Sequence, residues 1–289
     1  MAYRVDKIFR YPVKSMQGEA LESAFLSERG IPLDRGWAVK SERSTNISGA
    51  KQFGALLYCS ARYLTDTSAG AAPHVEITLP DGERVSTQDP NVHEALSDLV
   101  GEAVTLWPLQ PKENAEHYRM ARPEGADLEA EMRAAFALEP DEPLPDLTKF
   151  PEEVVKELLE YASPRGTYFD AYPLNILTRA SIRHLQSLLP GVAIDERRFR
   201  PNILLEDDAG ATRPAEFDWV GRKASIGEAT VEVEMECPRC VMATRDQPGL
   251  ENAPTIMRTL VKEMGQNLSV YAVVEKEGLV RVGDALTVS

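Results

Sequence analysis

Cysteine is scarce in this sequence: three in 289 residues, with Cys59 far from the pair Cys237 and Cys240. So small and uneven a set excludes a disulfide-stapled scaffold and suits a reducing compartment. It is also too small for the four thiolates of an iron–sulfur cluster, so no Fe–S cluster is expected in this chain. Long apolar runs are missing too. No stretch approaches the roughly 18 uninterrupted apolar residues of a membrane helix, and the start MAYRVDKIFRYPVK lacks an apolar signal segment. A cytoplasmic protein with no membrane association is therefore expected. Positive charge is outnumbered, 32 Lys and Arg against 46 Asp and Glu, giving a formal net charge of −14. That field repels polyanions, so no nucleic-acid partner is expected, while a small anionic ligand remains compatible if cations converge locally. The phosphate-cradling patterns GxxxxGK[ST] and GxGxxG are absent.

With 43% hydrophobic and 27% charged residues, the chain is an ordinary globular protein long enough for two packed domains. Residues 3–13, 36–40, 56–63 and 74–79 are rich in β-branched or aromatic side chains and read as strands. Pro80-Asp81-Gly82 reads as the turn of a hairpin joining 74–79 to 83–87, and 91–99 has helical spacing with Asn91 as its cap. These signals predict a mainly-β first domain, residues 1–120. Prolines and acidic residues then loosen the pattern, leaving helical stretches at 126–138 and 152–161 in a connecting region at about 121–167. Regular patterning resumes with a strand at 174–177, a helix at 179–188 capped by Thr178, and strands at 202–205 and 230–236. A helix at 255–264 and strands at 268–275 and 279–288 follow. The expected fold class is α+β: a mainly-β barrel-like domain, then a second domain, residues 121–289, with a barrel-like sheet and packed helices.

Glu236-Cys237-Pro238-Arg239-Cys240 is the segment best equipped for chemistry, because a stabilised thiolate is both a soft ligand and a nucleophile. Four readings compete. Structural zinc needs about four N or S ligands, and His74, His93, His117 and His184 show no paired ligand spacing. A thioredoxin-type pair starts a helix, whereas this pair follows a strand-like run. Two core cysteines are the plain reading, weakened by Arg239 between them, which is costly to bury unpaired. The fourth reading is a thiolate on a soft transition metal, with arginines serving an anionic part of a cofactor. Arg197-Arg198-Phe199-Arg200-Pro201-Asn202 supplies such a basic cluster, although a charge run equally suits a solvated surface.

Tyr11-Pro12-Val13-Lys14-Ser15, Leu33-Asp34-Arg35-Gly36-Trp37, Phe199-Arg200-Pro201-Asn202-Ile203, Cys237-Pro238-Arg239-Cys240 and Val282-Gly283-Asp284 occur in that order. In these markers the chain resembles the MOSC proteins over nearly its whole length, and most closely their amidoxime-reducing branch, which places an N-terminal MOSC β-barrel ahead of the MOSC domain. The resemblance implies a molybdenum cofactor, a molybdenum ion held by a pyranopterin (molybdopterin), with Cys240 as metal ligand and catalytic cysteine. Cys237 matches a less essential position. Lys14, Ser15, Arg35, Arg200 and Asn202 match positions that hold the pterin and its phosphate, and Pro238, Arg239 and Tyr271 match further cofactor contacts. Asp170 falls where the family has a carboxylate near the metal pocket, and is a candidate proton donor or substrate-orienting group.

The implied activity is a molybdenum-dependent oxidoreductase that reduces N-hydroxylated or N-oxygenated small molecules. Electrons would come from a separate flavin, haem or ferredoxin protein. The alternative implied by the same family is a non-redox carrier of molybdenum cofactor or of a persulfide. No pyridoxal phosphate site is recognised, so pyridoxal phosphate is not expected. Ala171-Tyr172 replaces small hydroxyl residues of the amidoxime-reducing branch, which bears on pocket shape and substrate range.

Overall fold

The structure is a computed structural model and describes residues 3–65, 72–207, 210–211 and 213–289. Its centre is a closed barrel. Following the hydrogen bonds from Ile203–Asp207, the strands run through Leu174–Thr178, Asn267–Lys276, Ala229–Pro238, Lys223–Ile226, Ala285–Val288 and Tyr3–Arg10, which pairs back onto Ile203–Asp207. The first strand therefore closes the barrel with strands from the end of the chain. Glu19–Leu21 extends it on one side, and Ser23–Leu26 pairs with Gly278–Arg281. The expected division near residue 120 is thus crossed by the chain's first strands.

The longest strands show why the sequence folds this way. Along Ala229–Pro238, buried and half-buried residues alternate, so Val231, Val233, Met235 and Cys237 face the core while Glu232, Glu234 and Glu236 face outward. A period of two sets this register, because a slip of one residue would bury the glutamates. Leu174–Thr178 is buried at every position, as befits a strand covered on both faces. It runs parallel to Ile203–Asp207, a pairing that requires a crossover. Helix Arg179–Leu188 provides it, with the Thr178 side chain accepting from the Ser181 N–H at 3.1 Å.

The remainder of the first half forms a second β unit. Trp37–Ser41 pairs with Ile47–Ser48 and Val104–Pro108, and Val75–Thr78 pairs with Ser60–Tyr63 and Arg84–Ser86. Helix Val92–Val100 packs Val92 and Leu96 into its core. The hairpin turn lies at Pro80-Asp81-Gly82, where Asp81 accepts the Glu83 N–H at 2.9 Å and Gly82 has φ 90°.

Several local expectations are corrected. The strand expected at 56–63 divides into a 3-10 turn, Gly54–Tyr58, and strand Ser60–Tyr63. There the backbone closes on itself instead of pairing with a neighbour: the Leu56 N–H donates to Phe53 O at 3.1 Å and the Cys59 N–H to Leu56 O at 3.2 Å, the i to i+3 pattern of a 3-10 turn. The strand expected at 279–288 breaks at Gly283, φ 91°, where Asp284 accepts the Arg281 N–H at 2.7 Å. The first strand stops at Arg10, since the Tyr11 N–H leaves the sheet to reach Asp34 Oδ1 at 2.8 Å. Asn91 makes no side-chain cap hydrogen bond.

Candidate active site

One pocket, about 680 Å³ including its open mouth, is lined from both halves of the chain. All ten residues singled out in the sequence meet there. Lys14, Ser15 and Arg35 come from loops of the first half, and Asp170 from the segment before strand Leu174–Thr178. Arg200 and Asn202 lead into strand Ile203–Asp207. Pro238, Arg239 and Cys240 leave strand Ala229–Pro238, and Tyr271 projects from the neighbouring strand Asn267–Lys276. The pocket's local backbone is unusual: Ser15, Arg35 and Arg200 have φ of 70°, 53° and 51°. Left-handed backbone costs a non-glycine residue about 1 kcal/mol or more, and persists where surrounding contacts impose it. Here the contacts are visible. Ser15 Oγ accepts the Ala50 N–H at 2.8 Å. Gly49 is needed beside it, because a Cβ there would collide with that hydroxyl. The Arg35 N–H donates to Tyr11 O at 2.6 Å, and Arg200 Nη1 donates to Met16 O at 2.7 Å.

Two arginines stack on one tyrosine. The Arg200 and Arg35 guanidinium carbons lie 4.1 and 4.6 Å from the Tyr11 ring centroid. Burial pushes the Tyr11 hydroxyl up to about 12, and Tyr11 Oη donates to Pro201 O at 3.0 Å. Asp34 organises the cluster from below. Its buried carboxylate ion-pairs with Arg35 and accepts from Tyr11 N and, at 2.9 Å, from Asn202 Nδ2. Burial works against the Arg35 charge, but Asp34 and then Tyr11 outweigh it and raise its pKa. For Arg200 the balance runs the other way, because Tyr11, Asp34 and Asp170 favour its charge too weakly to offset burial. Burial, aided by Arg35, lowers it to about 10.

Cys237 and Cys240 are both free thiols and occupy different settings. Cys237 is 1% exposed and accepts from Arg239 Nη1 at 2.9 Å beneath the pocket floor. Arg239 Nη2 donates to Phe199 O at 2.6 Å, so the guanidinium that looked costly to bury is held by partners. Cys240 is half-buried on the pocket wall, packed against Ala50, Leu57 and Met242, just before the 3-10 turn Val241–Thr244. Among the described residues no group of three His, Cys, Asp or Glu side chains could by itself hold a metal ion.

Lys14 Nζ donates to Tyr168 O and Asp170 Oδ1, each at 2.8 Å. Burial pushes the Asp170 carboxyl up, but Lys14, Lys51 and Arg35 together outweigh burial and hold it well below the usual carboxylate range. Its side chain is 46% exposed at the pocket mouth, so solvent weakens this field without reversing its sign. Lys14 itself is lowered, by burial first. Tyr271 and Tyr172, both lining the pocket, stack with centroids 5.2 Å apart, and Phe150 continues the stack beyond Tyr172 at 6.4 Å.

Sequence reasoning missed several participants. Tyr11 and Asp34 stood inside the quoted motifs, beside the residues chosen. Lys51 and Asn175 carried no local signal, because only the fold brings the 49–51 turn and the strand Leu174–Thr178 to this pocket. Its residues suit a bound anionic cofactor that brings its own further metal ligands. Buried Arg200 Nη2, Arg239 Nε and Asn175 Oδ1 have no hydrogen-bond partner among the described residues, and leaving such atoms unmatched costs about 1–3 kcal/mol each.

Residues 2–109 match the family model of the MOSC N-terminal beta barrel domain, and residues 164–287 that of the MOSC domain. The chain is 25% identical over 301 residues to the Mitochondrial amidoxime reducing component 2 of Rattus norvegicus, covering 97% of this chain and 81% of that protein. To the Homo sapiens protein of the same name it is 26% identical over 303 residues, covering 97% and 82%. The crystal structure of the YUAD protein from Bacillus subtilis aligns over 100% of this chain and 96% of its own, with TM-score 0.44 and 12% identity.

Proposed function

We propose, from the premise that this chain belongs to the proteins joining a MOSC N-terminal beta barrel domain to a MOSC domain, that it is a molybdenum-cofactor oxidoreductase reducing N-oxygenated small molecules. The observation that carries this reading is the half-buried Cys240 thiol set in a pocket walled by Lys14, Arg35, Arg200 and Arg239. A thiolate suits a molybdenum ion, and arginine forks suit phosphate oxygens and ring edges. A dithiol exchanger would need none of those cations. The relatives named amidoxime reducing components support the choice of substrate class.

In this reading Cys240 would ligate the metal, Arg200 and Arg239 would donate their unmatched N–H groups to the cofactor, and Lys14, Ser15 and Arg35 would serve its anionic end. Pro238 and Tyr271 complete the contacts. The cofactor, when bound, supplies the two-electron redox chemistry. The chain's own contribution is position and field. Asn202 acts indirectly, since its Nδ2 is committed to Asp34 and its Oδ1 accepts from Asn175 N at 3.2 Å. Of the two roles open to Asp170, the depressed pKa favours orienting over proton donation, because a group held ionised at neutral pH has no proton to give. The Tyr271 and Tyr172 rings on the pocket wall offer planar substrates a face to stack on. Electrons arrive from a separate flavin, haem or ferredoxin protein, and the acidic surface suits a donor with a basic face. Among the described residues no helix is long and apolar enough to cross a membrane.

The test is metal content. Protein purified from a host that makes the cofactor is expected to hold close to one molybdenum per chain by elemental analysis, and Cys240→Ala to lose most of it. Equal molybdenum in both proteins would remove the ligand assignment. Benzamidoxime turnover with an artificial electron donor then tests the reaction, and a molybdenum-loaded protein that fails to turn over would leave only the carrier reading.

A further inference from the structure

Asn175 on strand Leu174–Thr178 has one polar atom left over. Its Nδ2 donates to Phe199 O at 2.9 Å and to Arg200 O at 3.3 Å. Both partners are carbonyls, so the amide nitrogen must face them and the orientation of the group is determined. Its backbone is pinned as well, with Asn175 N donating to Asn202 Oδ1 at 3.2 Å and Asn175 O accepting from Asn202 N at 2.8 Å. The remaining atom, Oδ1, is buried without a donor among the described residues, in a residue 8% exposed that lines the pocket. Arg200 Nη2 and Arg239 Nε, of residues lining the same pocket, are buried donors without acceptors among the described residues. A pocket that offers only donors binds any anion. One that adds a fixed acceptor selects a ligand carrying an N–H group.

We propose that Asn175 is a ligand-binding residue whose Oδ1 accepts an N–H from the planar heterocycle of the resident cofactor, while Arg200 and Arg239 donate to that group's acceptors. This rests on the reading of the pocket as a pterin-cofactor site. Asn175 is more than nine-tenths buried, which suits a resident group better than a substrate exchanging with solvent. It also separates two neighbouring asparagines: Asn202 is used up within the protein, whereas Asn175 keeps one acceptor unmatched among the described residues.

The experiment measures equilibrium binding of three fluorescent probes to full-length, cofactor-free protein. Pterin presents both an exocyclic amino group and a ring N–H, lumazine replaces the amino group by a carbonyl, and 3-methylpterin blocks the ring N–H. Wild type is expected to bind pterin and to prefer it about tenfold over at least one of the other two, the size of one neutral hydrogen bond. In Asn175→Ala that preference should collapse towards one. The readout is a ratio within one protein, so loosening of the fold weakens all three probes together and leaves the ratio unchanged. Equal binding of all three to wild type, no binding of pterin, or an undiminished preference in the alanine variant would each overturn the assignment. Molybdenum content separates the two levels: a molybdenum-loaded protein with no probe preference sinks this inference alone, while absence of both sinks the cofactor reading.

Discussion

At the scale of single residues, the pocket is built on Asp34. This carboxylate is fully buried, yet it faces the Arg35 guanidinium, the Tyr11 N–H and Asn202 Nδ2. Removing one member of a buried charged pair leaves the other unpaired, at about 3–5 kcal/mol. Asp34→Ala is therefore expected to lower unfolding free energy by about that amount in urea denaturation. Adding Arg35→Met should recover part of the loss, since it removes the stranded charge. If the double variant is no more stable than the single, the cost lies in the lost backbone and Asn202 hydrogen bonds instead. The same residue shows a limit of motif reading. Leu33-Asp34-Arg35 pointed to Arg35 as the functional position, and only the structure reveals that the side chain before it sets the Arg35 geometry.

At the scale of elements, the start of helix Arg179–Leu188 carries a buried carboxyl, Glu216, with no ion-pair partner among the described residues. Glu216 accepts from Thr178 Oγ1 at 2.7 Å and Ser181 Oγ at 2.6 Å, and burial raises its pKa despite these hydrogen bonds. The folded state thus binds this proton more tightly than the unfolded chain does. Its contribution is fully present below the ordinary glutamate range and is lost as pH rises through the raised folded value. Glu216→Gln should flatten that slope, so its stability relative to wild type is expected to improve as pH rises above the ordinary glutamate range. A pH-independent difference in denaturation free energy would refute the assignment. This helix, with Thr255–Met264, was legible in the sequence to the residue, because apolar spacing and, for the first, the Thr178 cap are local signals. Strand Ala229–Pro238 was legible for the same reason. The 3-10 turn Gly54–Tyr58 was not, since adjacent buried leucines give no periodicity to distinguish turn from strand. The meeting of Lys14, Arg35, Asp170, Arg200 and Cys240 was not written in any local pattern either; family resemblance grouped them, and barrel closure brings them together.

At the scale of the whole molecule, that closure determines what can fold alone. Strand Tyr3–Arg10 buries Tyr3, Val5 and Ile8 in the same core as Ile176, Leu205, Val231 and Leu286. At about 1.5–3 kcal/mol for each large apolar side chain, losing three is comparable with the 5–15 kcal/mol that keeps a typical domain folded. Its removal also strips the partner from Ile203–Asp207 and Ala285–Val288, leaving two open edges. Residues 121–289 expressed alone are therefore expected to show no cooperative thermal transition by circular dichroism, in contrast to the full chain. A sharp transition with protected amides in those strands would mean that the second half closes its sheet without the first strand. In that event Lys14 and Arg35 could be supplied by a separate first half, and mixing the two pieces should restore probe binding. Without such a transition, the pocket exists only where the chain's two ends are joined in one barrel.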